Sequence, residues 1–397
     1  VDSRPKTERR PLSKITPADI QNYTTAFNNM VAWGQKNPND IRGWQMQAAI
    51  HHDAATAAMQ PTGADLDIHG SYYFFPWHRA YLYFHERILA WHLTGEKSLD
   101  PNFRLFAWDW ESDTPGADKR LPIPKMFTQA PLNVDRLGYR PFTDANDVSL
   151  TDMPWDASFF YGEAPKSATG NAGAIAGTPH GVVHNMTGGQ MTDMTQSSND
   201  PIFFAHHANV DKVWAWWRRL PGTADPSYIQ QPQWYFTDWD GTCVVVRPND
   251  VTDHEGTLKY SYAAPTFTIN GPKGTTLPVP VSPSGGLLMS AVIASQMRAA
   301  TNRRVGVVLN DVPVDRDGGT FDVFTTGPQG RFDKLGSFTV FDHVPSGKAT
   351  AFILTTPANA ARLRGDIFVQ RRRPAGNNTF LAMPPIRARV SRARIVF

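Results

Sequence analysis

A mainly helical core followed by a smaller β-sandwich is the architecture this sequence predicts, and three observations carry it. Apolar residues recur at helical spacing through the first two thirds of the chain. A stretch rich in Pro, Gly and Thr interrupts that pattern beyond Tyr262. Short β-favouring segments separated by turn residues then fill the remainder. With 397 residues, 41% of them hydrophobic, the chain can bury a core in each part.

The helical elements announce themselves by their starts. Thr16-Pro17-Ala18-Asp19 offers an N-cap, a proline at the first helical position and an acid three residues after the cap, and Ile20, Tyr23, Phe27, Met30 and Val31 follow at helical spacing. Pro76 opens "PWHRAYLYFHERILAWHL", whose long apolar face predicts a buried helix. The same cap-then-proline start recurs at Thr178-Pro179 and Asp200-Pro201, and Gly188-Gly189 ends the short helix between them. An antiparallel bundle with long loops is the expected packing of these helices. The segment "AAPTFTINGPKGTTLPVPVSPSGG" predicts a linker. After it come "RRVGVVLNDV", "GTFDVFTTG", "GSFTVFDH", "ATAFILTT", "GDIFVQR" and "ARIVF", a β-sandwich of about a hundred residues. The predicted division is therefore a core over 1–262, a linker over 263–286 and a sandwich over 287–397.

Composition narrows the function. The 39 Lys+Arg against 36 Asp+Glu leave a net charge of +3, and no five-residue basic run occurs, which argues against a nucleic-acid partner. No stretch reaches the ~18 apolar residues of a membrane span, and the polar amino end "VDSRPKTERR" predicts that any targeting peptide is absent or already removed. A soluble protein is expected, secreted or cytoplasmic, with its oligomeric state open. Cys243 is the only cysteine, which excludes disulfides within the chain and thiolate clusters, so any metal must rest on histidine or carboxylate.

Histidine is where the sequence concentrates its chemistry. Ten of the twelve lie between His51 and His207, in two blocks: His51, His52, His69, His78, His85 and His92, then His180, His184, His206 and His207. Each block can supply three or more imidazoles. His180 and His184 stand one helical turn apart, so both rings can reach one ion. Imidazole suits zinc, copper, iron and nickel alike. A helical zinc-peptidase pair requires Glu directly after its first histidine, and here that residue is Gly181. A di-iron bundle requires Glu-x-x-His pairs, which are missing. An all-imidazole set with few nearby acids accommodates both copper oxidation states and favours copper redox work.

The segments "IHGSYYFFPWHRAYLYFHERIL" and "NDPIFFAHHANVDKVWAWW" resemble the two copper-binding signatures of the type 3 copper proteins: tyrosinases, catechol oxidases and haemocyanins. "ERRP", "LPGTADPSY", "WYFTDWDGTCVVVRPNDVTDHEGTLKYSY" and "GTFDVF" extend the resemblance toward plant-type polyphenol oxidases. The resemblance implies two copper ions, the first held by His51, His69 and His78, the second by His180, His184 and His207. His52 stands as the alternative to His51. It implies that His206 points elsewhere on its helix, and that His85 and His92 are packed or surface residues. Asp211, one turn after His207, is a candidate acceptor for a ligating imidazole's free N–H. The implied activity is oxidation of o-diphenols to o-quinones by O2, with weaker ortho-hydroxylation of monophenols; small phenols are the partners and a phenol ring stacks over the second ion's histidines. A haemocyanin-like O2 carrier is the alternative, and a histidine-rich zinc or structural protein a more distant one.

Three positions depart from the family pattern. Ala55 stands where a cysteine is usually thioether-linked to the second ligand. Ala176 replaces the acid that holds a deprotonating water, and Gly181 replaces the Asn that helps orient it, which leaves Asn185 as the compensating candidate. Met194 replaces a Phe over the first copper, a softer and more flexible gate. Finally, the resemblance implies that the terminal sandwich is a lid over the site.

Overall fold

The computed structural model describes residues 2–58, 68–112, 122–136, 148–151, 153–162, 173–226, 232–267, 269, 276–288, 293, 295, 297, 304–315, 319–326, 331–340, 347–363, 365–372 and 385–396. Residues 268 and 270–275 of the expected linker lie outside them. The helical part comprises α1 (Pro17–Lys36), α2 (Trp44–Ala58), α3 (Phe74–Leu93), the single turns α4 (Ala157–Phe160) and α5 (Gly173–Ile175), then α6 (Val182–Thr187) and α7 (Ile202–Arg218). Short strands complete it: β1 (Thr7–Glu8) pairs in parallel with β4 (Tyr260–Ser261), and β2 (Trp234–Thr237) forms a hairpin with β3 (Cys243–Val246). These four strands lie within the part expected to be helices and loops. Among the described residues no helix is long and apolar enough to cross a membrane.

α1 starts as its sequence predicts, with Asp19 N–H donating to Thr16 Oγ1 at 3.2 Å and Thr16 N–H donating to Asp19 Oδ2 at 2.7 Å. α7 is also capped, by Asp200 Oδ1 accepting from Ile202 N–H at 3.0 Å. At Thr178-Pro179 the expected break and proline start are present, with Thr178 extended at a kink between two helical turns, but the side-chain cap is missing. The chain runs from α5 through a wide turn, Ala176–Gly181, into α6, and Thr178 sits inside it at φ −137°, ψ 113° with no cap bond. Gly188, at φ +79°, ends α6, a conformation that glycine adopts without steric cost.

α3 lies between α1 and α7 and is buried from Phe74 to His92. Its charged residues are compensated. Glu86 accepts from Arg9 Nε at 2.7 Å and Arg4 Nη2 at 3.0 Å, and Arg79 Nε donates to Asp211 of α7 at 2.5 Å. Tyr260 and Tyr262 each donate to Asp211 Oδ2 at 2.7 Å. The amino-terminal segment, both long helices and the end of the core domain thus meet at one buried ionic hub.

The terminal domain is the predicted sandwich. One sheet has the order β11-β10-β7-β8 and the other β5-β12-β6-β9, formed by β5 (Thr276–Val279), β6 (Val305–Pro313), β7 (Gly319–Thr326), β8 (Phe332–Val340), β9 (Lys348–Thr355), β10 (Ile367–Arg371), β11 (Ile386–Ala388) and β12 (Arg392–Val396), all pairings antiparallel. β5 lies within the stretch expected to be linker, because Thr276–Val279 supplies an edge partner to β12. The sandwich docks on the helical part: Val308, Phe352 and Val396 join the helical core's apolar cluster, and Phe159 meets Phe352 edge-on at 5.7 Å. A Cβ on Gly306 would stand 2.5 Å from the Phe159 ring, so only glycine permits this approach. Arg304 anchors the same seam by donating to the carbonyls of Ser149 and Thr151.

Candidate metal centre

Two groups of histidines converge in the helical core, both fully buried. His51 from α2, His69 from the segment before α3, and His78 from α3 form one; His180, His184, His206 and His207 form the other, with ligand atoms within 4.8 Å of one another in each. Local helix geometry aims several of these rings. His78 Nδ1–H donates to the Phe74 carbonyl at 2.7 Å and His180 Nδ1–H to the Ala176 carbonyl at 2.7 Å, each four residues back, while His184 Nδ1–H donates to Met191 O at 2.9 Å. A neutral imidazole with its proton on Nδ1 carries its lone pair on Nε2. That nitrogen of His78 is buried with no hydrogen-bond partner among the described residues.

The nitrogens face each other as metal ligands do. His51 Nε2 and His69 Nε2 are 3.1 Å apart, and His184 Nε2 and His207 Nε2 are 3.3 Å apart. Two nitrogens each bound at about 2 Å to a shared ion would stand at about this separation. Burial, reinforced by neighbouring imidazoles, holds His51 down to about 3, and burial holds His180 down to about 4; His69, His78, His184 and His207 lie well below their ordinary value for the same first cause. The rings are therefore neutral near pH 7, the form that binds metal. No carboxylate or thiolate of the described residues enters either group, so the donor set fits copper and disfavours carboxylate-based metal sites.

The groups touch. The rings of His78 and His207 stack at 4.4 Å and 9° from parallel, and Phe203 packs on His207 at 4.2 Å and edge-on to His51 at 4.8 Å. Phe74 meets His78 and His180, each at 4.8 Å. Neither phenylalanine is among the residues the histidine pattern singles out. Their signal was present, since each precedes a clustered histidine by one helical turn, Phe74 before His78 and Phe203 before His207.

Other expectations are redistributed. His52 is only half-buried and contacts Thr195 O at 2.9 Å, outside the first group. His85 stacks on Phe204 at 3.5 Å and contacts Gln47, and His92 is bonded to Glu96 and the Arg42 carbonyl; both are packed residues. His206 does not point away from the centre but lies in the second group. Asp211 is committed to Arg9, Arg79, Tyr260 and Tyr262, and the imidazole N–H groups of His78, His180 and His184 use backbone carbonyls instead. A buried carboxylate flanked by two guanidinium groups binds them in preference to a neutral ring. Gly181 is buried at the end of the wide turn, and Met194 is buried as well. Asn185 Nδ2 donates to Thr320 Oγ1 of the sandwich at 3.1 Å, and that hydroxyl lies 3.1 Å from Thr339 Oγ1.

Comparison with known proteins gives the same direction. The common central domain of tyrosinase matches residues 41–156 and 148–220. The chain is 31% identical over 255 residues to the chloroplastic polyphenol oxidase of Malus domestica, covering 54% of this chain and 41% of that protein. It is 30% identical over 326 residues to aureusidin synthase of Antirrhinum majus, covering 70% of this chain and 54% of that one. The matches thus span about half the length of these relatives. Among solved structures, latent apple tyrosinase superposes with a TM-score of 0.64 at 22% identity, over 100% of this chain and 97% of that one, a likeness of fold that includes both domains.

Proposed function

Because the chain belongs to the type 3 copper polyphenol oxidase family, we propose that it is a dicopper oxidase that converts o-diphenols to o-quinones with O2 and hydroxylates monophenols more weakly. Two diphenols are oxidised for each O2 reduced to two waters. The observation that carries the reading is the pair of all-imidazole groups sharing a stacked boundary at His78 and His207. His51, His69 and His78 would hold one copper, and His180, His184 and His207 the other. Bound copper supplies one-electron redox couples, and two ions side by side supply the two-electron change that diphenol oxidation requires.

The chain's own residues do the rest. Backbone carbonyls of Phe74, Ala176 and Met191 keep a proton on Nδ1 of three rings and so keep Nε2 available. Phe74 and Phe203 pack around the rings and exclude water from them. Among the described residues no carboxylate stands one turn before His180 to take a monophenol's proton, since position 176 offers a methyl group, and Asn185 is engaged by Thr320. Diphenol oxidation should therefore run ahead of hydroxylation.

The sandwich acts in this reading as a lid, with Met194 and Gly181 lining the approach beneath it. Support comes from its position on the turn that carries His180: a Cβ on Gly177 would meet Thr339 O at 2.7 Å, and Asn185 is tied to β7. The test of the function is metal analysis joined to oxygen uptake on catechol and on tyramine. Two coppers per chain with quinone formation supports it; copper with reversible O2 binding and no quinone would replace it by an O2 carrier.

A further inference from the structure

The second histidine group holds four imidazoles where the first holds three, and the extra ring has a partner that the others lack. Trp110 Nε1–H donates to His206 Nδ1 at 3.1 Å, both residues fully buried. Trp110 is itself held in place, because Trp108 N–H donates to the Ala205 carbonyl at 2.9 Å and ties this segment to α7. A ring nitrogen that accepts a hydrogen bond carries no proton. His206 is thus neutral with its one proton on Nε2, the Nδ1 lone pair is occupied, and neither nitrogen has a pair to give to an ion.

Its ring is nevertheless well placed to act on its neighbours. It lies 5.2 Å from His180 and 16° from parallel, and stands edge-on to His184 at 4.8 Å. His207, by contrast, brings Nε2 to 3.3 Å from His184 Nε2. We propose that His206 is a positioning residue for the second metal site, locked by Trp110 into the one tautomer that cannot ligate, and that it holds the rings of His180 and His184 in binding orientation. The inference rests on the dicopper reading above. It adds Trp110, a residue outside both histidine blocks, to the machinery of the site.

The experiment compares the wild-type chain with His206→Gln, Trp110→Phe and His207→Gln after copper reconstitution. Copper per chain is counted by mass spectrometry, and its release to a Cu(I) chelator under reducing conditions is followed in time. Wild type should hold two ions; fewer would sink the dicopper reading and this inference with it. His206→Gln and Trp110→Phe should still hold two at saturation but release one of them about tenfold faster, the scale on which partners of metal ligands act. Each substitution removes a buried hydrogen bond and should lower the melting temperature of the copper-free chain, so release is timed where all four chains are folded; a lowered melting temperature with a wild-type release rate would mark a merely structural role. His207→Gln should hold one. Loss of an ion in His206→Gln, or a wild-type release rate in Trp110→Phe, would overturn the proposal. A long-range proton–nitrogen NMR spectrum of the histidine-labelled copper-free chain provides a readout independent of loading: a proton on Nδ1 of His206 would equally refute it.

Discussion

The imidazoles of His78 and His207 lie face to face, 4.4 Å between centroids, although 129 residues separate them in the chain (207 − 78). One comes from α3 and the other from α7, and the Arg79–Asp211 ion pair joins the same two helices one step further along. This contact is where the two proposed copper sites adjoin, so the activity should depend on both rings at once.

His207→Ala or His184→Ala should therefore leave one copper per chain and abolish diphenol oxidation. His92→Ala should keep two coppers and the activity. It removes a buried ring bonded to Glu96 and the Arg42 carbonyl, so it should lower stability by about 1–3 kcal/mol. Copper counts and denaturant melts separate the two behaviours. A His92 variant that loses copper while remaining folded would contradict the assignment.

Ala176→Glu should raise the ratio of tyramine hydroxylation to dopamine oxidation. The carbonyl of residue 176 would still receive the His180 N–H, while a carboxylate one turn before His180 could hold the water that takes the phenol proton. Initial rates on the two substrates, measured on preparations with equal copper, decide the matter. A parent enzyme that already hydroxylates tyramine as fast as it oxidises dopamine would show that another base serves.

Acid should destabilise the copper-free chain in two stages. Burial holds His85 well below the ordinary histidine range and His254 down to about 3, so the unfolded chain takes up these protons first as pH falls below about 6.5. Each contributes a slope of up to about 1.4 kcal/mol per pH unit, with stability falling as pH falls. Burial alone would raise Glu86 and Asp211, but Arg9, Arg4 and Arg104 around the first, and Arg79 and Arg9 around the second, outweigh it and hold both carboxyls low. Their stabilisation is complete above the ordinary carboxylate range of about 4 and is lost as pH drops through their folded values. Calorimetric melts at constant ionic strength should show a falling midpoint from pH 6.5 and a steeper fall below 4; a flat midpoint from pH 7 to 5 would exclude the first stage.

Separating the sandwich from the core should raise catechol turnover. An engineered protease site within residues 270–275, cut after folding, tests this once mass analysis confirms separation. Asn185→Ala, which removes the bond to Thr320, should shift the uncut protein in the same direction by a smaller amount. Equal rates before and after cutting, at equal copper, would make the sandwich a stabilising module only.

What the sequence determined by itself was whatever depends on near neighbours. The capping box of Thr16 and Asp19, the buried length of α3, the glycine stop after α6 and the alternating strands of the sandwich all follow from residues within a few positions of one another. So does the pairing of His180 with His184 on adjacent turns. Tertiary structure decided what depends on which helices meet: that Asp211 serves the arginines rather than an imidazole, that His206 lies within the second group against Trp110, that His78 stacks on His207, and that β5 leaves the linker to join the sandwich. Helical spacing puts a side chain on one face of its own helix, but the partner across that face comes from packing, and a hydrogen-bonding group takes whichever partner packing brings.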